Sequence, residues 1–181
     1  TVILLDTSRS MLRKDFKPSR LAAELQTVRN FILSKLSIDM KDRISIISFG
    51  DITKRLIDFA IDADKLIASL KKIQISGKGI LHEGIAFALQ VLVEEMRKIG
   101  GKTSRILIIT DSKLEIDINR LEKITNIAKG LGVYIDTCQL GGIQDHGKLS
   151  LKRLYLSKIN KIIVVKSYKF LYSTNQENEK I

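Results

Sequence analysis

The chain has 181 residues, with 31 Lys and Arg against 20 Asp and Glu, a formal net charge of +11, 44% hydrophobic residues, one Pro, one Cys and no Trp. This is the length of one ordinary domain, enough to bury roughly 70% of the surface an unfolded chain exposes. The composition excludes a disordered tail, a collagen-like chain and a disulfide scaffold, while the positive surplus admits nucleic acid, an anionic surface or an acidic protein partner and selects none of them.

In chain order, short β-branched runs alternate with longer stretches of helical periodicity. Val2 to Leu5 reads as a first strand, followed by a helix from about Arg20 to Lys35 with Leu21, Leu25, Val28, Phe31 and Ile32 on one stripe and Ser19 as its cap. A second strand spans Ile44 to Phe49, and Thr53 to Phe59 reads as a short edge strand. Helices are expected over about Ala63 to Ile73 and His82 to Ile99, then a strand at Ile106 to Ile109. A helix over about Ile118 to Leu131 ends at Gly132, which offers a left-handed stop, and a strand begins at Val133. A weaker helix at about Leu149 to Ser157 and a last strand at Ile162 to Val165 complete the series. Strands apolar on both faces belong to a parallel sheet covered by helices on each side. The predicted class is therefore α/β: a doubly wound, mostly parallel central sheet flanked by helices, with one short antiparallel edge strand. No repeat or linker divides residues 1–172, which read as one domain, and the polar end 173–181 is expected to fray.

Three features bear on setting. The lone Cys138 cannot form an intrachain bridge, which points to a reducing, intracellular environment, cytoplasmic or, in a eukaryote, nuclear. The longest uncharged apolar run, Gly84 to Val93, is about half the ~20 residues a membrane-spanning helix needs, so no membrane partner is expected. The sequence starts at Thr1 without an initiator Met, and an upstream targeting segment would not be visible in it.

In a doubly wound sheet, ligands bind outside the carboxyl ends of the strands, near the point where strand order reverses. The residues there are Asp6-Thr7-Ser8-Arg9-Ser10 after the first strand, Gly50-Asp51 after the second, Thr110-Asp111-Ser112 after the strand at 106–109, and Gln139 to Gly142. Asp6, Ser8 and Ser10 alternate and can aim three oxygens at one place, with Asp111 arriving from the neighbouring strand. Such a set suits a hard divalent cation, and it equally suits hydrogen bonding to the loop backbone.

The spacing Asp6-x-Ser8-x-Ser10 after a first apolar strand resembles the von Willebrand factor A (VWA) domain and its metal-ion-dependent adhesion site, and the order of strands and helices agrees over nearly the whole chain. The resemblance implies that Ser8 and Ser10 bind Mg²⁺ or Mn²⁺ directly, that Asp6 and Asp111 support it, and that a partner carboxylate completes the coordination. It also implies a threonine where this chain has Ile80, so one oxygen ligand is missing. Two branches are nearer than the rest. Asp6 to Met11, Lys14 to Leu21, Ser69 to Lys72 and Gly101 to Arg105 are similar to the VWA subunit of the transcription and repair factor TFIIH. Gly77-Lys78 with Gly84-Ile85 is similar to the ubiquitin-receptor VWA domain of the proteasome regulatory particle. Both imply a non-enzymatic scaffold of an intracellular complex. The zinc modules of the first branch and the ubiquitin-interacting helices of the second have no counterpart in this sequence.

Other signals are weaker. Gly100 to Ser104 imitates the end of a phosphate-binding loop, but it precedes a strand and Met96 stands where the first Gly belongs. Asp6 lacks the second Asp of a haloacid-dehalogenase-type nucleophile, because position 8 is Ser. His82 and His146 are not spaced with Cys138 to hold zinc, and His82, at a helix start, is expected on the surface. No nucleophile and base are brought together, so no enzyme is predicted. Between His146 and Gln176 there are seven basic residues and no acidic one, and Lys148, Lys152, Arg153 and Lys158 form a candidate basic face for an acidic protein or nucleic acid. Tyr168, Phe170 and Tyr172 alternate beyond it.

The reading drawn from these observations is a VWA-type protein-interaction module. Its metal candidates are Asp6, Ser8, Ser10 and Asp111, and its partner-binding rim is Arg9, Gly79, Ile80 and Ser112. The alternative is nucleic-acid binding through the basic C-terminal region. The rim is expected to be acidic and hydroxylated, and the C-terminal part basic.

Overall fold

A computed structural model describes residues 1–100, 102–111 and 113–140, and the backbone of 161–165. Strand β1 (Val2–Asp6) lies at the centre of a six-stranded sheet, with β2 (Ile44–Phe49) parallel on one side and β5 (Arg105–Thr110) parallel on the other. β3 (Lys54–Ala60) pairs antiparallel with β2 at one edge. β7 (Tyr134–Leu140) pairs parallel with β5, and β8 (Lys161–Val165) closes the other edge, giving the order β3-β2-β1-β5-β7-β8. The predicted fold class is the observed one, including the antiparallel edge strand.

Alternation along β1 divides the core between the two faces of the sheet. Ile3 and Leu5 pack with Ile44, Ile46, Val28, Ile32 and Leu66, under helices α1 (Arg20–Ile38) and α2 (Ala63–Ser69). Val2 and Leu4 pack with Ile47, Phe49, Ile85, Leu89 and Leu121, under α3 (Leu81–Lys98) and α4 (Ile118–Gly130). All five residues of β1 are buried, as expected of a central strand covered twice.

Local signals set the helix ends. The Ser19 hydroxyl accepts a hydrogen bond from Ala22 N at 3.2 Å, capping α1. Gly132 takes φ +68° two residues after α4, and its N–H bonds Lys129 O at 3.0 Å, so the helix stops where the sequence predicts. Two differences stand out. The buried face of α1 runs through Arg20, Ala23, Glu24, Val28, Ile32 and Leu36, whereas Leu21, Leu25 and Phe31 of the expected stripe are only half-buried. The stripe is rotated because the first turn of α1 turns two charged side chains, not leucines, toward the end of β1. In addition, β4 (Gly79–Ile80) and β6 (Leu114–Glu115) form a separate two-stranded parallel ladder that no apolar run announces. The expected helix at 149–157, the aromatics Tyr168, Phe170 and Tyr172, and the polar end 173–181 lie outside the described residues.

Candidate functional site

The first crossover from β1 leads through α1 to β2 on one side, while β5 pairs on the other side of β1. Strand order reverses there, and the crevice between the carboxyl ends of β1 and β5 is where a ligand site is expected. Asp6 ends β1, Thr110 ends β5, and Asp111 follows it.

Asp6 is fully buried. One carboxylate oxygen, Oδ1, accepts the backbone N–H of Ser8 at 2.8 Å, and the other, Oδ2, accepts the Thr110 hydroxyl at 2.5 Å. The Ser8 and Ser10 hydroxyls lie 2.9 Å apart and bond each other. Backbone bonds tie this loop to its neighbours: Thr7 N donates to Phe49 O at 2.8 Å, Ser76 N to Thr7 O at 2.8 Å, and Arg9 N to Gly77 O at 3.1 Å. The Asp51 carboxylate accepts from Lys78 N at 2.6 Å and so fastens the loop before β4 to the loop after β2. A Cβ on Gly79 would come within 2.6 Å of Leu114 Cδ2 and 3.3 Å of Asp6 Oδ1, so this glycine permits the close approach of β4 to Asp6.

Beneath the loop lies a charge network that sequence reading missed. Arg20 is buried, and its Nη1 donates to Asp111 Oδ2 at 2.8 Å. Its Nε and Nη2 form a fork on Asp15, at 2.9 Å to Oδ1 and 2.5 Å to Oδ2. Asp111 is fully buried, and its Oδ1 accepts from Lys113 N at 3.0 Å. Burial opposes the charge on Arg20, but its hydrogen bonds to Asp15 and the charge of Asp111 outweigh that effect and raise its pKa. The hydrogen bonds from Arg20 hold the Asp15 carboxyl below its ordinary value.

Glu24, one turn further along α1, is fully buried. Its Oε1 accepts from Asp6 N at 3.1 Å, while Oε2 has no hydrogen-bond partner. Burial raises its carboxyl well above the usual range, and the charge of Asp6 adds to the rise. Burial likewise pushes Asp6 up to about 6, against hydrogen bonds from Thr110 and Ser8 that favour its charged form. A signal for this network exists in the sequence: Arg20 and Glu24 stand at i and i+4 on the same helical face as Ala23 and Val28.

The structure therefore gathers Asp6, Ser8, Ser10 and Asp111 at one point, and places Arg9 on the surface above them. Gly79 is buried, and Ile80 is half-buried at the start of α3, where no side chain caps the helix. Ser112 and the basic face of Lys148, Lys152, Arg153 and Lys158 lie outside the described residues. Two expectations need correction. The rim is not uniformly acidic: Asp6 and Asp111 are sealed below it, and its exposed side chains mix Arg9, Lys14, Lys17 and Lys78 with Asp15, Asp51 and Glu115, the last 3.8 Å from Lys78, beside Leu12 at 52% and Ile52 at 63% exposure. His82 is buried, not superficial; its Nδ1 accepts from Asp117 N at 3.5 Å, and the helix start that suggested exposure is covered by the segment leading into α4.

As arranged, these oxygens do not fit the divalent cation that the resemblance implies. The carboxylate oxygens of Asp6 and Asp111 already accept hydrogen bonds, a guanidinium sits on Asp111, and the two serine hydroxyls bond each other. Gly79, the residue of the next loop that faces Asp6, adds no oxygen.

Comparison with known proteins agrees with the geometry. Residues 1–113 match the family described as von Willebrand factor type A domain. The 26S proteasome regulatory subunit rpn10 of Schizosaccharomyces pombe is 24% identical over 150 residues, covering 82% of this chain and 61% of that protein. The 26S proteasome regulatory subunit RPN10 of Saccharomyces cerevisiae is also 24% identical over 150 residues, covering 82% and 55%. The chain thus spans little more than half the length of these relatives. The crystal structure of the SpRpn10 VWA domain superposes with a TM-score of 0.81 at 21% identity, covering 97% of this chain and 93% of that one. BatB from Bacteroides thetaiotaomicron superposes with a TM-score of 0.74 at 18% identity, covering 99% and 96%. At these identities the two structures establish likeness of fold. The strand order, the loop after β1 and the match over residues 1–113 together place the chain in the von Willebrand factor type A domain family.

Proposed function

We propose that this domain is a non-catalytic docking module that holds a protein partner on the rim formed by the loops after β1 and β2 and the loop before β4, as part of an intracellular assembly. The observation that carries the reading is a set of exposed basic and apolar side chains, Arg9, Lys78 (3.8 Å from Glu115), Leu12 and Ile52, on loops that are cross-bonded to one another and to buried Asp6. Exposed cations beside exposed apolar groups suit an acidic partner segment with apolar side chains of its own. The Ser8 and Ser10 hydroxyls bond each other, and Ser8 also bonds the Asp6 carboxylate, so both belong to the framework of the loop. The proteasomal relatives make a ubiquitin–proteasome-type assembly the first setting to test, ahead of the transcription and repair setting.

The test compares the wild type with an Arg9→Glu, Lys78→Glu double variant and with Lys71→Glu as a control, each tagged and recovered from cells of its source. A partner recovered in stoichiometric amount with the wild type and the control, and lost with the double variant, supports rim docking. Unchanged recovery with the double variant overturns it. Nucleic-acid binding through residues 146–176 predicts the converse, capture that the rim variant leaves intact and that nuclease removes.

A further inference from the structure

The adhesion site of this fold needs positive charge at the point where Asp6 and Asp111 converge, because two carboxylates with no exposure to water cannot both stay ionised unless something compensates them. In this chain a side chain already stands against Asp111. Arg20 is 2% exposed, it reaches Asp111 at 2.8 Å, and it is held in place from the other side by the two-point contact with Asp15. A guanidinium does not lose its proton in a protein, so the charge it brings is permanent.

We infer that Arg20 is a built-in cation, supplying from the chain the charge that a divalent ion would otherwise bring to the rim, so that the rim is formed and maintained without Mg²⁺ or Mn²⁺. Three independent observations converge on this. Asp111, the carboxylate that would face an ion, is engaged by Arg20 through one oxygen and by Lys113 N through the other. The loop before α3 brings Gly79 against the site, where a Cβ would lie 3.3 Å from Asp6 Oδ1, and glycine has no side-chain oxygen to give. The Ser8 and Ser10 hydroxyls bond each other at 2.9 Å. An ion entering this space would have to displace Arg20 from Asp111 or sit beside its fixed positive charge, and would have to part the two serine hydroxyls.

The experiment uses Mg²⁺ and Mn²⁺ alone and involves no partner, so it stands apart from the docking reading. Wild-type protein stripped with a chelator is titrated calorimetrically with Mn²⁺, and its melting temperature is measured with and without millimolar Mg²⁺. The expected result is no saturable heat and an unmoved melting temperature, since a ligand of the native state must stabilise it by mass action. Saturable binding of one Mn²⁺ per chain, with a rise in melting temperature that Ser8→Ala abolishes, overturns the inference. Arg20→Ala releases Asp111 and is expected to melt at a lower temperature that Mn²⁺ partly restores. A folded Arg20→Ala protein that remains blind to Mn²⁺ removes Arg20 as the reason. Arg20→Gln, which keeps a donor for Asp111 and drops the charge, carries the same comparison where the alanine variant does not fold.

Discussion

Glu24 is the residue whose environment is least comfortable. It is fully buried between α1 and the end of β1, one of its oxygens is unpartnered, and its nearest charges, Asp6 and Asp111, are of its own sign. Protonation relieves it, and the same holds in smaller degree for Asp6, with its carboxyl pushed up to about 6 from an ordinary 3.8. Both groups bind protons more readily in the folded state than in the unfolded one, so they stabilise the fold fully at acid pH. That stabilisation is lost as pH rises through the folded-state values. For Asp6 the loss amounts to on the order of 2–3 kcal/mol between about pH 4 and pH 7. Urea unfolding followed from pH 5 to pH 8 is expected to show a midpoint that falls with pH over this range, with a shallower fall in Glu24→Gln. Identical slopes in the two proteins would show that Glu24 stays ionised throughout. Cys138, facing the same core, has its thiol pushed up to about 12, mainly by burial, which makes it a packing residue and not a reactive one.

The elements that sequence reading recovers are those specified by local chemistry. Val2 to Leu5 and Ile106 to Ile109 are β-branched or leucine throughout, Ser19 is a strong capping residue, and Gly132 occupies a backbone conformation that other residues enter only with strain. What escapes is set by contacts between distant residues. Arg20 and Asp111 are separated by 91 positions, and β4 and β6 are two residues each, too short for any periodicity to register. The buried His82 was missed for the same reason, since its cover comes from Asp117, 35 residues on. Two glycines allow these kinds of specification to be compared. Gly132→Ala meets open space and carries only the backbone penalty, expected at about 1–2 kcal/mol. Gly79→Ala places a methyl against the end of the Leu114 side chain, which must shift, and close to the Asp6 carboxylate, and is expected to cost about 1–3 kcal/mol and to disturb the rim as well. Thermal unfolding measures both costs. Loss of the Gly79-side amide protection in hydrogen exchange, retained in Gly132→Ala, distinguishes the rim effect from general destabilisation.

At the scale of the whole molecule, the net charge of +11 acquires a distribution. Part of it is spread over the exposed rim residues Arg9, Lys14, Lys17 and Lys78, one cation is drawn into the interior as Arg20, and seven basic residues fall between 146 and 176. Such a surface attracts polyanions at low ionic strength whatever its specific role. Binding to a random duplex DNA is therefore expected to be detectable at low salt and to weaken with a steep log–log dependence on salt. Under a purely rim-based function, neutralising Lys152, Arg153 and Lys158 flattens that dependence and leaves the protein partner bound. Loss of the protein partner in the same variant would move the docking surface to the C-terminal face. The fold class was legible in advance because a doubly wound sheet announces itself strand by strand, whereas the sign of its rim was not, since burial, and not composition, decides which charges a partner meets.

The short ladder between β4 and β6 has a consequence for how such a partner is held. Gly79 and Ile80 are in register with Leu114 and Glu115, and the backbone bonds from Thr7, Arg9 and Ser76 brace the remaining loops against one another. A surface braced in this way has little motional freedom left to surrender when another molecule settles on it, so the entropy of ordering at such a contact falls on the incoming chain.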